Sequence, residues 1–319
     1  MNREFTYAMI LILAAGLICS GPAAAKTYKI GVMIAHASPG LQADQRGFAK
    51  ALEEAGIQAE YDHQNAQGDA AGAEAIAQKF LTDEVDLVHA VGLEAAQAAA
   101  KIIKDVPVVY SSVRDPVGAG VVKTLAADGG NITGVSNAWP IDQQVDLFHR
   151  MLPAAKKWGT VYNAGDPFTA KAVERARELM GQLGLELIEA RVSGYNDIPD
   201  AAKSLAGKVD AVFMTPDPMV AKEFGAISGM CNENKIPLFS GNPNLVVRGA
   251  VAAMGTDFVQ VGVSAGHKAV QILKEGQKPG EIPSGVAEHL ILYISLKNAK
   301  KQGVEVQEEF IKQADRVFK

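Results

Sequence analysis

The chain has 319 residues, 48% of them hydrophobic and 21% charged, with a net charge of −5 at neutral pH. A mildly acidic chain without a basic run has no electrostatic footprint for nucleic acid. No stretch approaches the roughly 20 consecutive apolar residues a permanent membrane helix needs.

Met1-Asn2-Arg3, the apolar run Ala8 to Ile18 and the small string Ala23-Ala24-Ala25 have the order of a cleaved secretory signal over residues 1–25. Export to the periplasm is the expectation. Cys19 lies behind the bulky Ile18 and reads as filling of the signal core, not a lipidation site. Cleavage leaves Cys231 as the only cysteine, so no intramolecular disulfide is expected. Residues 26–319 exceed what one compact core usually organises, and two domains are expected.

Ile30 to Ala35 reads as the first strand, followed by the turn His36 to Gly40 and a helix with Leu41, Phe48, Leu52 and Ala55 on one face, stopped by Gly56. A strand over Ile57 to Tyr61, a helix around Ile76, Phe80 and Leu81, a strand over Asp86 to Val91, a helix over Glu94 to Lys104 and a strand over Val106 to Ser111 complete the first half. The second half repeats this grammar. Gly159 to Tyr162 is a strand, a long helix ends before Gly184, and Leu185 to Ala190, Asp210 to Phe213 and Ile236 to Ser240 are strands. Gly56 and Gly184, Asp86 and Asp210, and Pro107 and Pro237 recur at a nearly constant offset. The fold class expected is α/β: two doubly wound parallel-sheet lobes joined by a multi-strand hinge.

Three short runs remain, Asn131 to Ser136, Ala250 to Gly255 and His289 to Ile294, the last after a helix over Phe258 to Leu273. Each falls where the chain would cross between lobes. The organisation expected is residues 26–138 plus 255–288 for lobe one and 139–254 plus 289–319 for lobe two. Two open sheets on a hinge make a closing clamp.

Ligands of open parallel sheets lie beyond the carboxyl ends of the strands, beside helix N-termini. The candidates in lobe one are His36 and Ser38, then Gly92, Leu93 and Glu94, then Ser111 and Ser112 of the loop through Arg114-Asp115. Lobe two offers Asn163, Phe168, Thr215, Asp217 and Ser240. Asp217 suits an ammonium group, and before Pro218 it also suits a helix cap. Ser111 and Ser112 suit a carboxylate or a strand-end turn. Glu94 could anchor a cation, although an acidic residue opening a helix more often complements its dipole. Trp139 and Phe168 are candidate stacking faces or packing groups, while Tyr195 reads as surface packing. His36 could bond a ligand or cap its turn.

Gly262-Val263-Ser264-Ala265-Gly266 matches the nucleophile-elbow pattern G-x-S-x-G, which would make the chain a secreted hydrolase. That motif needs a strand and a sharp turn, whereas Phe258, Val261, Ala265 and Ile272 fit one continuous helix face. The histidines show no metal-binding spacing, and neither a P-loop nor G-x-G-x-x-G after a strand is present. No metal, cofactor or catalysis is expected.

The segments Asn131 to Ser136, Val113 to Gly120, Thr215-Pro216-Asp217 and Gly255 through Gly276 to Ile282-Pro283 resemble the ABC-transporter substrate-binding family of the aromatic-amino-acid (tryptophan/tyrosine) type. That resemblance implies a type I periplasmic-binding-protein fold, an aromatic or branched-chain amino acid held between the lobes, and delivery to an inner-membrane ABC permease, with the protein a monomer. The family also places an aspartate at the position of Asp217. Pro218 and Glu94 depart from the family pattern. A periplasmic sensor for a receptor kinase is the alternative use of the same clamp.

Overall fold

The structure is a computed structural model and describes residues 26–319 except Pro216. The expected leader with Cys19 lies outside the described residues.

Eight elements alternate through the first part of the chain: β1 (Thr27–Ile34), α1 (Pro39–Glu54), β2 (Gln58–Asn65), α2 (Ala70–Thr82), β3 (Leu87–Val91), α3 (Leu93–Ile102), β4 (Val108–Val113) and β5 (Ile132–Ser136). The chain then passes to α4 (Ile141–Met151), β6 (Lys157–Asn163), α5 (Pro167–Gln182), β7 (Glu186–Val192), α6 (Ile198–Ser204), β8 (Ala211–Met214), α7 (Pro218–Lys222), α8 (Phe224–Asn234), β9 (Leu238–Ser240) and β10 (Ala252–Thr256). It returns through α9 (Phe258–Leu273) and β11 (Gly285–Val286), and finishes with β12 (Leu290–Ser295), α10 (Leu296–Lys301), α11 (Glu308–Gln313) and β13 (Arg316–Phe318).

The first sheet has the order β11-β5-β4-β3-β1-β2 and the second β13-β12-β10-β9-β8-β6-β7. The arrangement 2-1-3-4-5 of the first sheet therefore returns strand for strand in the second, and the repeat legible in the sequence is a repeat of topology. All pairs of the first sheet are parallel. The second is not wholly parallel, because β12 runs antiparallel to β10. A strand that enters straight from the other lobe has no crossover helix to reverse it, so it lies head to tail beside its neighbour. β10 keeps Gly255 and Thr256 in the second sheet, beyond the residue at which the sequence places the return to lobe one.

One core, from Ile30, Phe48, Phe80 and Tyr110 to Val261 and Ala265, fills the first lobe. Two others cover the faces of the second sheet, one around Phe148, Trp158, Phe213 and Phe239 and one around Phe224, Ile227, Leu238 and Val246. The G-x-S-x-G segment lies inside α9, with no strand-to-helix turn at Ser264. Its glycines are where α9 meets α1. A Cβ on Gly262 would stand 1.9 Å from the Asp44 carbonyl oxygen, one on Gly266 2.6 Å from the Ala51 Cβ, and one on Gly47 2.0 Å from the Val259 carbonyl oxygen. The two backbones touch, and only hydrogen fits between them.

Three connections join the lobes, at residues 137–140, at Asp257 and at residues 287–289. The last two are tied together by the Asp257 amide, which donates to the His289 carbonyl at 3.1 Å. Among the described residues no helix is long and apolar enough to cross a membrane.

Candidate ligand-binding cleft

The carboxyl ends of both sheets open on one cavity of about 370 Å³. The first lobe contributes the loops after β1, β3 and β4, and the second those that open α5 and α7 together with Asn242 and Leu245. Asn137 and Trp139 of the first connection, and Phe258 just after the second, close the side nearest the hinge.

Local sequence sets each wall. Ser38 caps α1, its hydroxyl accepting from the Leu41 amide at 3.3 Å, with Pro39 in the first helical turn. Gly92 has φ +91°, and a Cβ there would stand 2.9 Å from the Ala35 Cβ, so glycine alone lets α3 begin against β1. Asp166 caps α5 by accepting from the Phe168 amide at 3.0 Å and the Thr169 hydroxyl at 2.8 Å, which fixes Phe168 at the cavity. Asp217 caps α7: Oδ1 accepts from the Met219 and Val220 amides at 2.8 and 3.0 Å, and Oδ2 from the Asn163 amide at 2.7 Å. Only 3% exposed, this carboxylate is held at the cavity by three backbone donors of its own lobe.

Arg114 faces it from the first lobe. Its guanidinium lies 4.6 Å from the Trp139 ring centroid and 5.3 Å from that of Phe168, a cation between two aromatic faces. Burial lowers its pKa from the ordinary arginine value, and the negative charges of Asp166, Asp217 and Glu94 act the other way. Cation, carboxylates and flat apolar faces thus converge within one small space, as recognition of a small zwitterion with a ring would require.

Behind this wall sits a buried polar group of four. Asp44 on α1 is fully buried, and its Oδ1 accepts from the Ser111 hydroxyl at 2.9 Å while Oδ2 accepts from the Ser112 hydroxyl. His89 Nε2 lies 2.8 Å from the Ser111 oxygen, and its ring stacks on Phe48 with centroids 3.8 Å apart. The single proton of Ser111 goes to Asp44, so Nε2 carries the proton it donates and Nδ1 is bare, buried and unpartnered. Burial pushes the Asp44 carboxyl up to about 7, against the two serine donors, and pushes the His89 imidazole down to about 3.

Of the residues expected from sequence, His36, Ser38, Gly92, Leu93, Glu94, Ser112, Trp139, Phe168 and Asp217 line the cavity. Ser111, Asn163, Thr215 and Ser240 do not. Ser111 turns inward to Asp44 and His89. Asn163 donates its backbone amide to Asp217, and its side-chain oxygen accepts from the Gly165 amide at 2.9 Å. Thr215 is buried with its hydroxyl unpartnered, and the buried Ser240 hydroxyl accepts from the Asn242 amide at 3.1 Å. Tyr195 is 44% exposed on the second lobe. Arg114 carries the signal of its place in the loop after β4, but nothing local to it shows that its guanidinium lies between two rings. Asp44 also left a signal: Leu41, Asp44 and Phe48 share the buried face of α1, an acid on an apolar stripe.

Residues 29–318 match the model of the family described as ABC transporter substrate binding protein. The chain is 35% identical over 262 residues to a tyrosine-binding protein of Clostridioides difficile, covering 81% of this chain and 76% of that protein. Two solved structures are similar over nearly their whole length. One is the ligand-free, open structure of a substrate binding protein with adhesive properties from Clostridium difficile, 31% identical, with TM-score 0.83 over 91% of this chain and 99% of that one. The other is an ABC domain from Streptococcus pneumonia in complex with L-Trp, 30% identical, with TM-score 0.77 over 92% of this chain and 100% of that one.

Proposed function

Because the chain belongs to the family of ABC transporter substrate-binding proteins, we propose that it is the periplasmic receptor of an ABC importer and that it binds an aromatic amino acid, tyrosine or tryptophan, between its lobes. The observation that carries this reading is Arg114 set between Trp139 and Phe168 opposite the capped carboxylate of Asp217. Such a cavity offers a cation to a carboxylate, anions to an ammonium group and aromatic faces to a ring. The relatives that are tyrosine-binding or hold L-Trp support the same ligand class.

In this reading the lobes are residues 26–138 with the returning 257–288, and 139–256 with 289–319. They close about the three connections, solute meets one wall first, and closure adds the other and expels water. The work is passive and the closed form is what an inner-membrane permease reads. A thermal-shift screen of the amino acids on purified protein tests the ligand, since binding to the native state raises the melting temperature. L-tyrosine or L-tryptophan should give the largest rise. No rise with either at millimolar concentration would remove the aromatic amino acid.

A further inference from the structure

Ser112 meets the cleft in an unusual way. The register of β4 on β5 shifts between Ser111 and Val113, so Ser112 falls out of the ladder, and its backbone is left-handed at φ +56°. The other non-glycine residues with positive φ among those described, Gln67, Glu84 and Lys235, lie outside strands. Here a buried strand residue that lines the cleft is held in that conformation while its hydroxyl bonds Asp44.

A hydroxyl has one proton, and Ser112 gives its proton to Asp44 Oδ2. Its oxygen therefore has only lone pairs to offer the cleft. We infer that Asp44 is a positioning residue which fixes Ser112 as a hydrogen-bond acceptor in the cleft, where it takes the ammonium group of an amino-acid ligand. This rests on the amino-acid reading above. It also reverses the role that composition suggests for Ser112, because a hydroxyl whose proton is already committed cannot donate to a carboxylate.

The surroundings leave Asp44 free to act this way. The groups facing its carboxylate are His89 from β3 and Ser111 and Ser112 from β4, while the Gly262 backbone of α9 packs on the Asp44 carbonyl. His89, 3.6 Å from Oδ1, is neutral, and it is the one basic side chain within ion-pair distance among the described residues. Arg46 on α1 is exposed, and His63 on β2 acts on His89, lowering its pKa further. A proton arriving on Oδ2 would reverse the bond: Asp44 would donate to Ser112, and the serine hydrogen would turn to the cleft and meet an ammonium group with like polarity. Burial holds the carboxyl at about 7, so this reversal falls at accessible pH. Ligand bound to the ionised form alone gives an affinity that is flat above that pH and weakens below it by up to about tenfold per pH unit.

The test is calorimetric titration of L-tryptophan and L-tyrosine into wild type, Asp44→Asn, Ser112→Ala and His36→Gln between about pH 5.5 and 8.5. His36→Gln is the control at the histidine that lines the cleft. Wild type should weaken on acidification by about tenfold or more. Asp44→Asn, whose amide donates to Ser112 as the protonated acid does, should bind about tenfold more weakly at the upper pH and lose the slope. Ser112→Ala should match it, while His36→Gln keeps the slope whatever its affinity. Wild-type affinity and slope in Asp44→Asn would overturn the assignment. Should that variant not melt cooperatively, unchanged binding by Ser112→Ala overturns it instead. Failure of both amino acids to bind wild type at any pH would sink the amino-acid reading itself.

Discussion

The guanidinium of Arg114, carried by the first lobe, lies 5.3 Å from the ring centroid of Phe168, carried by the second. This contact crosses the cleft and shares its cation with Trp139 on the connecting segment. A contact of this kind contributes about 0.5–2 kcal/mol, more as it is desolvated. Phe168→Ala removes both the aromatic face and the bridge. It should weaken L-tryptophan binding by about tenfold with little change in melting temperature, because Phe168 is not among the buried core residues. Arg114→Lys keeps the charge but not the planar stack, and should weaken binding too. Titration calorimetry checks both, and undiminished affinity in both would take this pair out of recognition.

Asp217 serves the fold as well as the cleft, so its removal is not a clean test of binding. Alanine there frees the Met219, Val220 and Asn163 amides together. Loss of the cap costs about 1 kcal/mol, and an orphaned buried amide about 1–3 kcal/mol. Asp217→Ala should therefore lower the melting temperature by several degrees, at about 2–4 °C per kcal/mol. Asp217→Asn keeps an oxygen for the cap and should recover much of that loss while still binding amino acids weakly. Equal stability of the alanine variant and wild type would mean that the cap is not needed.

Gly262→Ala sets two effects against each other. Helix propensity favours alanine by about 1 kcal/mol. The new methyl carbon would stand 1.9 Å from the Asp44 carbonyl oxygen and 2.9 Å from the Phe48 amide nitrogen, so α1 and α9 must part. Overpacking of this kind costs about 1–3 kcal/mol, and the net sign should be destabilising. Urea unfolding decides it: a lower midpoint is expected, and a higher one would show that the helices are not seated this closely.

Asp44 and His89 make opposite contributions to stability against pH. The folded carboxyl, at about 7, lies above its ordinary 3.8, so the native state holds its proton more tightly and stability falls as pH rises from about 4 to about 7. The folded imidazole, at about 3, lies below its ordinary 6.5, so stability rises as pH rises from about 3 to about 6.5. Between about pH 4 and 6.5 the two slopes offset. Asp44→Asn should expose the histidine's rise alone and be more stable than wild type above about pH 7, where wild type buries an anion that two serine hydroxyls only partly compensate. His89→Gln should show the carboxyl's fall alone. Urea denaturation across this range gives both profiles, and parallel curves for the three proteins would refute the pairing.

The fold was legible because its signals are local and repeated. Gly56 and Gly184 both end helices at positive φ, and α9 spans Phe258–Leu273 as its apolar spacing indicates. The reversal of β12 was not legible, since its direction depends on which lobe the chain has just left. Within the site, strand-end position located the loops but not the aim of each side chain. Ser111 and Ser112 are adjacent, chemically alike and both bonded to Asp44, yet past the bulge only Ser112 lines the cleft. Asp44 lies far from both in sequence, and only folding shows that it holds their protons.

The seam between α1 and α9 also bears on how the molecule is assembled. A helix made early closes against a helix made more than 200 residues later, with five of the second sheet's seven strands synthesised in between. An emerging N-terminal half would show the bare backbone at Gly47 and the unscreened acid of Asp44 to whatever surrounds it. Completion of that half must wait until the ribosome has released α9. The nested second half meanwhile has five of its seven strands, including the whole 2-1-3-4-5 repeat.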